Sequence, residues 1–140
     1  MFTGQEIIQE IRELNFPIGK YIVLGGSSLA VRNIRDTKDL DILLLPELFD
    51  KLSQEGWEFD LEYERRWNKK RLKKEDVELY PYLYLERQER YLDVQELIDS
   101  ADIIEGIPFQ PLRNLINLKY SLFPATVIFY PTGPETDNFF

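Results

Sequence analysis

Asp39 and Asp41 carry the strongest chemical signal in this 140-residue chain. Leu40, Ile42 and Leu44 alternate with Asp39, Asp41, Leu43 and Leu45, the period of a β-strand, so the two carboxylates project from one face. At that spacing both can ligate metal ions, and a neighbouring strand can supply a third ligand. An Asp-x-Asp pair alone is commonplace and usually exposed. Inside an otherwise apolar strand, however, unpaired carboxylates are costly unless a cation compensates them. The second element is Gly25-Gly26-Ser27-Ser28, between the apolar run Tyr21 to Leu24 and the helix-compatible Leu29, Ala30 and Val31. It places permissive backbone and two small hydroxyls at a helix start, where amides and the helix dipole favour a triphosphate. A plain tight turn is the competing reading. The two elements in tandem, about a dozen residues apart, make a more specific pattern than either alone.

Composition narrows the chemistry further. The chain has no histidine, which removes Ser-His-Asp and Cys-His catalysis, His-ligated zinc and the usual general base. It has no cysteine, so disulfides and thiolate metal sites are excluded and the neutral reading is a reducing cytoplasm. Chemistry is left to carboxylates, lysines, hydroxyls and bound metal. With 25 acidic residues, a hard oxygen-ligated cation such as Mg²⁺ is the natural partner. Hydrophobic residues at 44% and aromatics at 14% indicate a folded chain, and the net charge of −8 describes its surface rather than a disordered tail. No apolar run approaches the about 20 residues that span a bilayer, so no membrane partner is expected.

The elements that must position these residues follow from periodicity. Ile7, Ile8, Ile11 and Leu14 have helical spacing behind a Thr3 cap. Tyr21 to Leu24 reads as a strand, Pro46 ends the Asp-bearing strand, and a short helix is expected over residues 47–54. Trp57, Phe59, Leu61 and Tyr63 alternate with acidic residues, which predicts a second strand leading into a hairpin. A further strand is predicted over residues 77–85, with Val77, Leu79, Leu83 and Leu85 on one face and Glu78, Tyr80, Tyr82 and Tyr84 on the other. Helices are expected over 94–101 and 111–122, and the apolar run 126–130 reads as an edge strand or a loosely ordered tail.

The run Leu24-Gly25-Gly26-Ser27, a spacer, then Asp39-Leu40-Asp41-Ile42 resembles the signature of the DNA polymerase beta-like nucleotidyltransferase superfamily. Arg35-Asp36-Thr37-Lys38-Asp39-Leu40-Asp41 is similar to the form found in nucleotidyltransferase toxins of bacterial abortive-infection systems, a toxin-antitoxin context. The likeness covers roughly residues 7–122 and fades where Ser121-Leu122-Phe123-Pro124 replaces the family's usual segment. It implies an α/β (α+β) domain, a small mixed sheet flanked by helices, over residues 1–124, with 125–140 as a C-terminal strand or tail. It also implies a third carboxylate from a later strand. Val77-Glu78-Leu79 is the best match, although glutamate departs from the more frequent aspartate, and Asp76 and Asp93 compete for the role. Leu112-Arg113-Asn114-Leu115-Ile116-Asn117-Leu118-Lys119 resembles the family's C-terminal helix, which implies that Lys119 approaches the phosphates; a solvated lysine is the alternative.

The resemblance thus implies in-line transfer of a nucleoside monophosphate from a nucleoside triphosphate, with Asp39 and Asp41 holding Mg²⁺ or Mn²⁺. Gly25, Gly26, Ser27 and Ser28 would cradle the phosphates, and Glu78 would complete a second metal site or take the acceptor's proton. A non-catalytic nucleotide-binding or antitoxin-like module of the same fold is the alternative. The acceptor, whether a small molecule, a tRNA or a protein, is not named by the sequence, and a homodimer or partner subunit could complete so small a cleft. Residues 65–74, from Arg65 to Lys74, hold seven of the 17 basic residues and no acid. With Trp67 among them they suit either an RNA contact or, more simply, a solvated hairpin tip. Tyr80, Tyr82 and Tyr84 suit either an acceptor or nucleobase pocket or a covering for a helix. Arg32 and Arg35 are open between phosphate contact and surface charge.

Overall fold

The computed structural model describes residues 1–85, 89–113 and 128–129. It is a mixed α+β fold built on a seven-stranded mixed sheet. Helix α1 (Gly4–Leu14) starts in a capping box: the Thr3 hydroxyl accepts from the Glu6 amide and the Glu6 carboxylate accepts from the Thr3 amide. It ends at Asn15 in the left-handed conformation and buries Ile7, Ile8 and Ile11. Then follow β1 (Tyr21–Leu24), the short helix α2 (Gly26–Ala30), β2 (Leu40–Leu44) and α3 (Pro46–Ser53). Pro46 both stops β2 and occupies the first turn of α3, where its missing amide hydrogen costs nothing.

Next come β3 (Glu58–Phe59), α4 (Leu61–Trp67), β4 (Leu72–Lys74), β5 (Val77–Tyr80), β6 (Tyr84–Leu85) and β7 (Arg90–Tyr91). The chain continues through α5 (Val94–Asp99), β8 (Asp102–Ile104), β9 (Ile107–Phe109) and β10 (Ile128–Phe129). The large sheet has the order β3-β4-β5-β2-β1-β9-β8, and β10-β6-β7 form a second, three-stranded sheet. Strand β2 lies at its centre, antiparallel to β1 and parallel to β5. Period-two alternation divides the core. Tyr21, Val23, Leu40, Ile42, Leu44, Val77 and Leu79 pack under α1 and α3. Ile22, Leu24, Leu43 and Tyr80 face the other way, against Leu29, Tyr63, Leu97 and Ile98.

Three expectations are corrected. The stretch Trp57 to Tyr63 is not one strand: β3 lasts two residues and Asp60 caps α4, its carboxylate accepting from the Tyr63 amide at 3.1 Å. Residues 77–85 are not one strand either. Pro81 lacks the donor that a ladder needs, β5 stops at Tyr80, and Tyr84 resumes in the other sheet. The basic residues 65–74 are not a hairpin tip, because they run through the end of α4, a connection and β4, and the turn into β5 falls later, at Glu75 with φ 54°. The β8–β9 hairpin, turned by Glu105 and Gly106 at φ 51° and 81°, is an addition to the expected elements. Leu112 and Arg113 are helical, and 114–122 lie outside the described residues.

No helix among the described residues is long and apolar enough to cross a membrane.

Candidate active site

The strand register builds the site. Asp41 is the second residue of β2; it lies beside Leu24, the last residue of β1, on one side and beside Glu78, the second residue of β5, on the other. Both carboxylates belong to the sheet face away from α1, and both are buried, at 5% and 7% exposure. The two carboxyls are neighbours across the β2–β5 ladder, and Asp41 Oδ1 is buried with no hydrogen-bond partner. Asp39, just before β2, is half-buried and acts on the other two through its charge. Among the described residues no three acidic side chains close into a finished metal cage. Asp41 and Glu78 touch, and Asp39 flanks them.

Because Leu24 ends β1 beside Asp41, the glycine turn is delivered to the same end of the sheet. Gly25 has φ 62° and ψ −135°, a conformation that glycine adopts without strain. Its amide donates to the Gln110 side chain at 3.1 Å, and the Gln110 amide donates to Val23 at 2.8 Å, so β9 pins the turn. Gly26, Ser27 and Ser28 are buried. Each serine hydroxyl is engaged within the fold: Ser27 donates to the Asp39 carbonyl at 3.3 Å and Ser28 to the Val23 carbonyl at 3.4 Å. The Ser28 amide is engaged as well, donating to the Gly25 carbonyl at 2.9 Å, so the Gly26 and Ser27 amides are the part of this turn suited to phosphate, with the hydroxyls serving as braces. On the far side of α2, Arg32 donates to the Ser28 carbonyl at 2.9 Å and pairs with Asp102 at 2.7 Å.

A buried cation stands behind the carboxylates. Arg71 lies 3.1 Å from Glu78 Oε2 and 2.8 Å from Asp60 Oδ2, with side-chain exposures of about a tenth for all three. It also donates to the Tyr80 hydroxyl at 2.6 Å, which in turn donates to Glu78 Oε1 at 3.3 Å. Its guanidinium sits 4.0 Å from the Tyr63 ring centroid. Burial, the Glu78 charge and the Asp39 charge push the Asp41 carboxyl well above its ordinary pKa, with Arg71 opposing. Burial also raises Glu78 despite Arg71, and burial followed by Asp76 raises Asp39. An acidic cluster that resists full ionisation, with one buried oxygen unpartnered, has the donor chemistry of a hard-cation site.

Of the three contenders for the third carboxylate, Glu78 is the one in contact with Asp41. Asp76 is exposed at the start of β5, and Asp93 caps α5, accepting from the Glu96 amide at 3.1 Å. Lys119 lies outside the described residues. Of the tyrosines, Tyr80 joins the carboxylates. Tyr82, beyond Pro81, instead lines a cavity of about 620 Å³ with Pro46, Phe49, Lys69 and Tyr91, at the opposite ends of β2 and β5. Tyr80, one of the three tyrosines read as a pocket or a helix covering, bonds Arg71 and Glu78, and Arg71, Asp60 and Gln110 complete the site without having been singled out as its members. Sequence offered one signal for them, an aspartate in N-cap position before Leu61. Comparison with family models, curated proteins and solved structures gives no match for the chain.

Proposed function

We propose that this chain is a metal-dependent nucleotidyltransferase that moves a nucleoside monophosphate from a nucleoside triphosphate to an acceptor hydroxyl. The observation that carries the reading is the buried, unpartnered Oδ1 of Asp41 beside Glu78, at the strand end where the Gly25–Gly26 turn also arrives. Asp39 and Asp41 would hold the cation, with Glu78 as the third carboxylate available to it. A bound Mg²⁺ or Mn²⁺ supplies charge neutralisation on the triphosphate and lowers the acceptor hydroxyl's pKa. The opening amides of α2 hold the distal phosphates, and the Ser27 bond to the Asp39 carbonyl keeps that cradle in register with the carboxylates. Glu78 accepts the acceptor's proton as the new oxygen–phosphorus bond forms and pyrophosphate leaves. The test is Mg²⁺-dependent transfer of α-labelled nucleotide, expected in the wild type and lost in Asp39→Ala and Asp41→Ala.

A second reading, a nucleotide-binding module without transfer activity, is favoured by one observation. Glu78 is already paired with Arg71 and hydrogen-bonded by Tyr80, so it is less available as a base or ligand. Nucleotide-dependent stabilisation without any labelled product would select that reading.

A further inference from the structure

Arg71 is the only cation that the structure places in an ion pair with a member of the carboxylate cluster among the described residues. We infer that Arg71 is an internal counter-ion that competes with the divalent metal for Glu78, a positioning residue that sets how tightly the site takes its cation. The inference rests on the cation site proposed above.

The geometry carries it in three steps. First, the guanidinium is shared: one terminal nitrogen is 2.8 Å from Asp60 and 3.1 Å from Glu78, while the other donates to Tyr80. Second, Asp60 belongs to a different element from Glu78. It is the N-cap of α4 and accepts from the Tyr63 amide through its other oxygen, so it holds Arg71 in place however Glu78 is engaged. Third, Asp41 and Glu78 lie side by side in the sheet with half-buried Asp39 two residues along, and Arg71 is the cation in ion-pair contact with this group, while exposed Lys73 of β4 acts on it from a distance. Without a divalent ion, Arg71 supplies the opposite charge that such a cluster requires. With the ion present, Glu78 faces two cations, and whatever attraction Arg71 retains is subtracted from metal binding.

This makes opposite predictions for two substitutions. Arg71→Gln removes the competing charge, so Mn²⁺ should bind about tenfold more tightly while the metal-free protein melts at a lower temperature. Asp60→Asn keeps the cap, since asparagine caps as well as aspartate, but withdraws Arg71's other anionic partner. Among the described residues Glu78 is then the anionic partner left to the guanidinium, and Mn²⁺ binding should weaken several-fold. Arg71→Lys should fall between wild type and Arg71→Gln, because an ammonium keeps the charge and loses the fork.

Free Mn²⁺ titrated by electron paramagnetic resonance, paired with metal-free melting curves, reads both quantities without any turnover. A merely structural Arg71 would lower stability and metal affinity together, and that result, or unchanged affinity in Arg71→Gln, would overturn the inference. If Arg71→Gln does not fold, Asp60→Asn decides by itself: weaker Mn²⁺ binding supports the inference, and equal or tighter binding overturns it. Wild type binding Mn²⁺ with unresponsive variants would defeat this inference alone. Absence of Mn²⁺ binding in wild type and variants alike would defeat the cation site and this inference with it.

Discussion

The Ser27 hydroxyl donates to the main-chain oxygen of Asp39 at 3.3 Å, a single bond that joins the glycine turn to the acidic strand across the β1–β2 pair. Thr37 donates to the same oxygen at 3.3 Å, so the backbone that presents Asp39 is held from two sides. Ser27→Ala should cost about 1 kcal/mol of stability, the usual net value of such a bond, because Thr37 still satisfies the carbonyl. It should cost more in nucleotide-dependent stabilisation, since the cradle and the carboxylates lose their common register. Urea unfolding with and without MgATP separates the two effects.

Gly4 governs where α2 sits. A Cβ at that position would lie 2.5 Å from the Ala30 carbonyl oxygen, a backbone atom at the end of α2. Gly4→Ala must therefore push α1 and α2 apart, despite the better helix propensity of alanine. A loss of about 1–3 kcal/mol is expected from the overpacking, together with weaker nucleotide binding from a displaced turn. A variant at least as stable as wild type would contradict the packing described.

The folded-state pKa of Asp41 is raised above the unfolded value, so the metal-free native state binds more protons than the unfolded state in the window between them. The sign follows: this contribution is fully favourable below an unfolded carboxylate pKa of about 4 and is lost as pH rises through the higher folded value. Asp41→Asn removes the titration. The stability difference between Asp41→Asn and metal-free wild type should therefore grow in the variant's favour from acid to neutral pH, and saturating Mg²⁺ should reverse the order at pH 7. Melting curves across pH check both statements.

Asp60 has two jobs that substitution can separate. Asp60→Ala removes the α4 cap and leaves Arg71 with one anionic partner fewer in a nearly dry site, for an expected loss of about 3 kcal/mol. Asp60→Asn retains the cap and should lose distinctly less. Equal losses would mean that the ion pair, not the cap, carries the whole effect.

The parts of the fold visible in the sequence are those where local pattern and tertiary environment agree. Thr3 caps α1 as its place ahead of the Ile7, Ile8, Ile11 spacing indicates, and the alternation around Asp39 and Asp41 marks the central strand. Between Trp57 and Tyr63 the same alternation misleads. Tyr63 is buried, but Leu61 is 73% exposed, and the Asp60 cap overrides the period-two pattern. Arg71 was hidden among seven basic residues that composition treats alike, and only the fold distinguishes the buried one from its neighbours. Gln110 reaches Gly25 across 85 positions of sequence, a contact that no local window contains. Ser27 and Ser28 were visible as members of the turn, but the direction of their hydroxyls, into the fold, depends on carbonyls of other segments.

The central claim is that Asp39 and Asp41 form a cation-dependent nucleotide site. Its most direct measurement is the thermal shift produced by ATP, GTP, CTP and UTP, each with and without Mg²⁺, on wild type and on the Asp39→Ala/Asp41→Ala double variant. A ligand at a hundredfold its dissociation constant stabilises by about 2.7 kcal/mol, a readily measured rise in melting temperature. The account predicts a rise for at least one triphosphate that requires Mg²⁺ and disappears in the double variant. A rise that survives in the double variant, or no rise with any triphosphate, would contradict it.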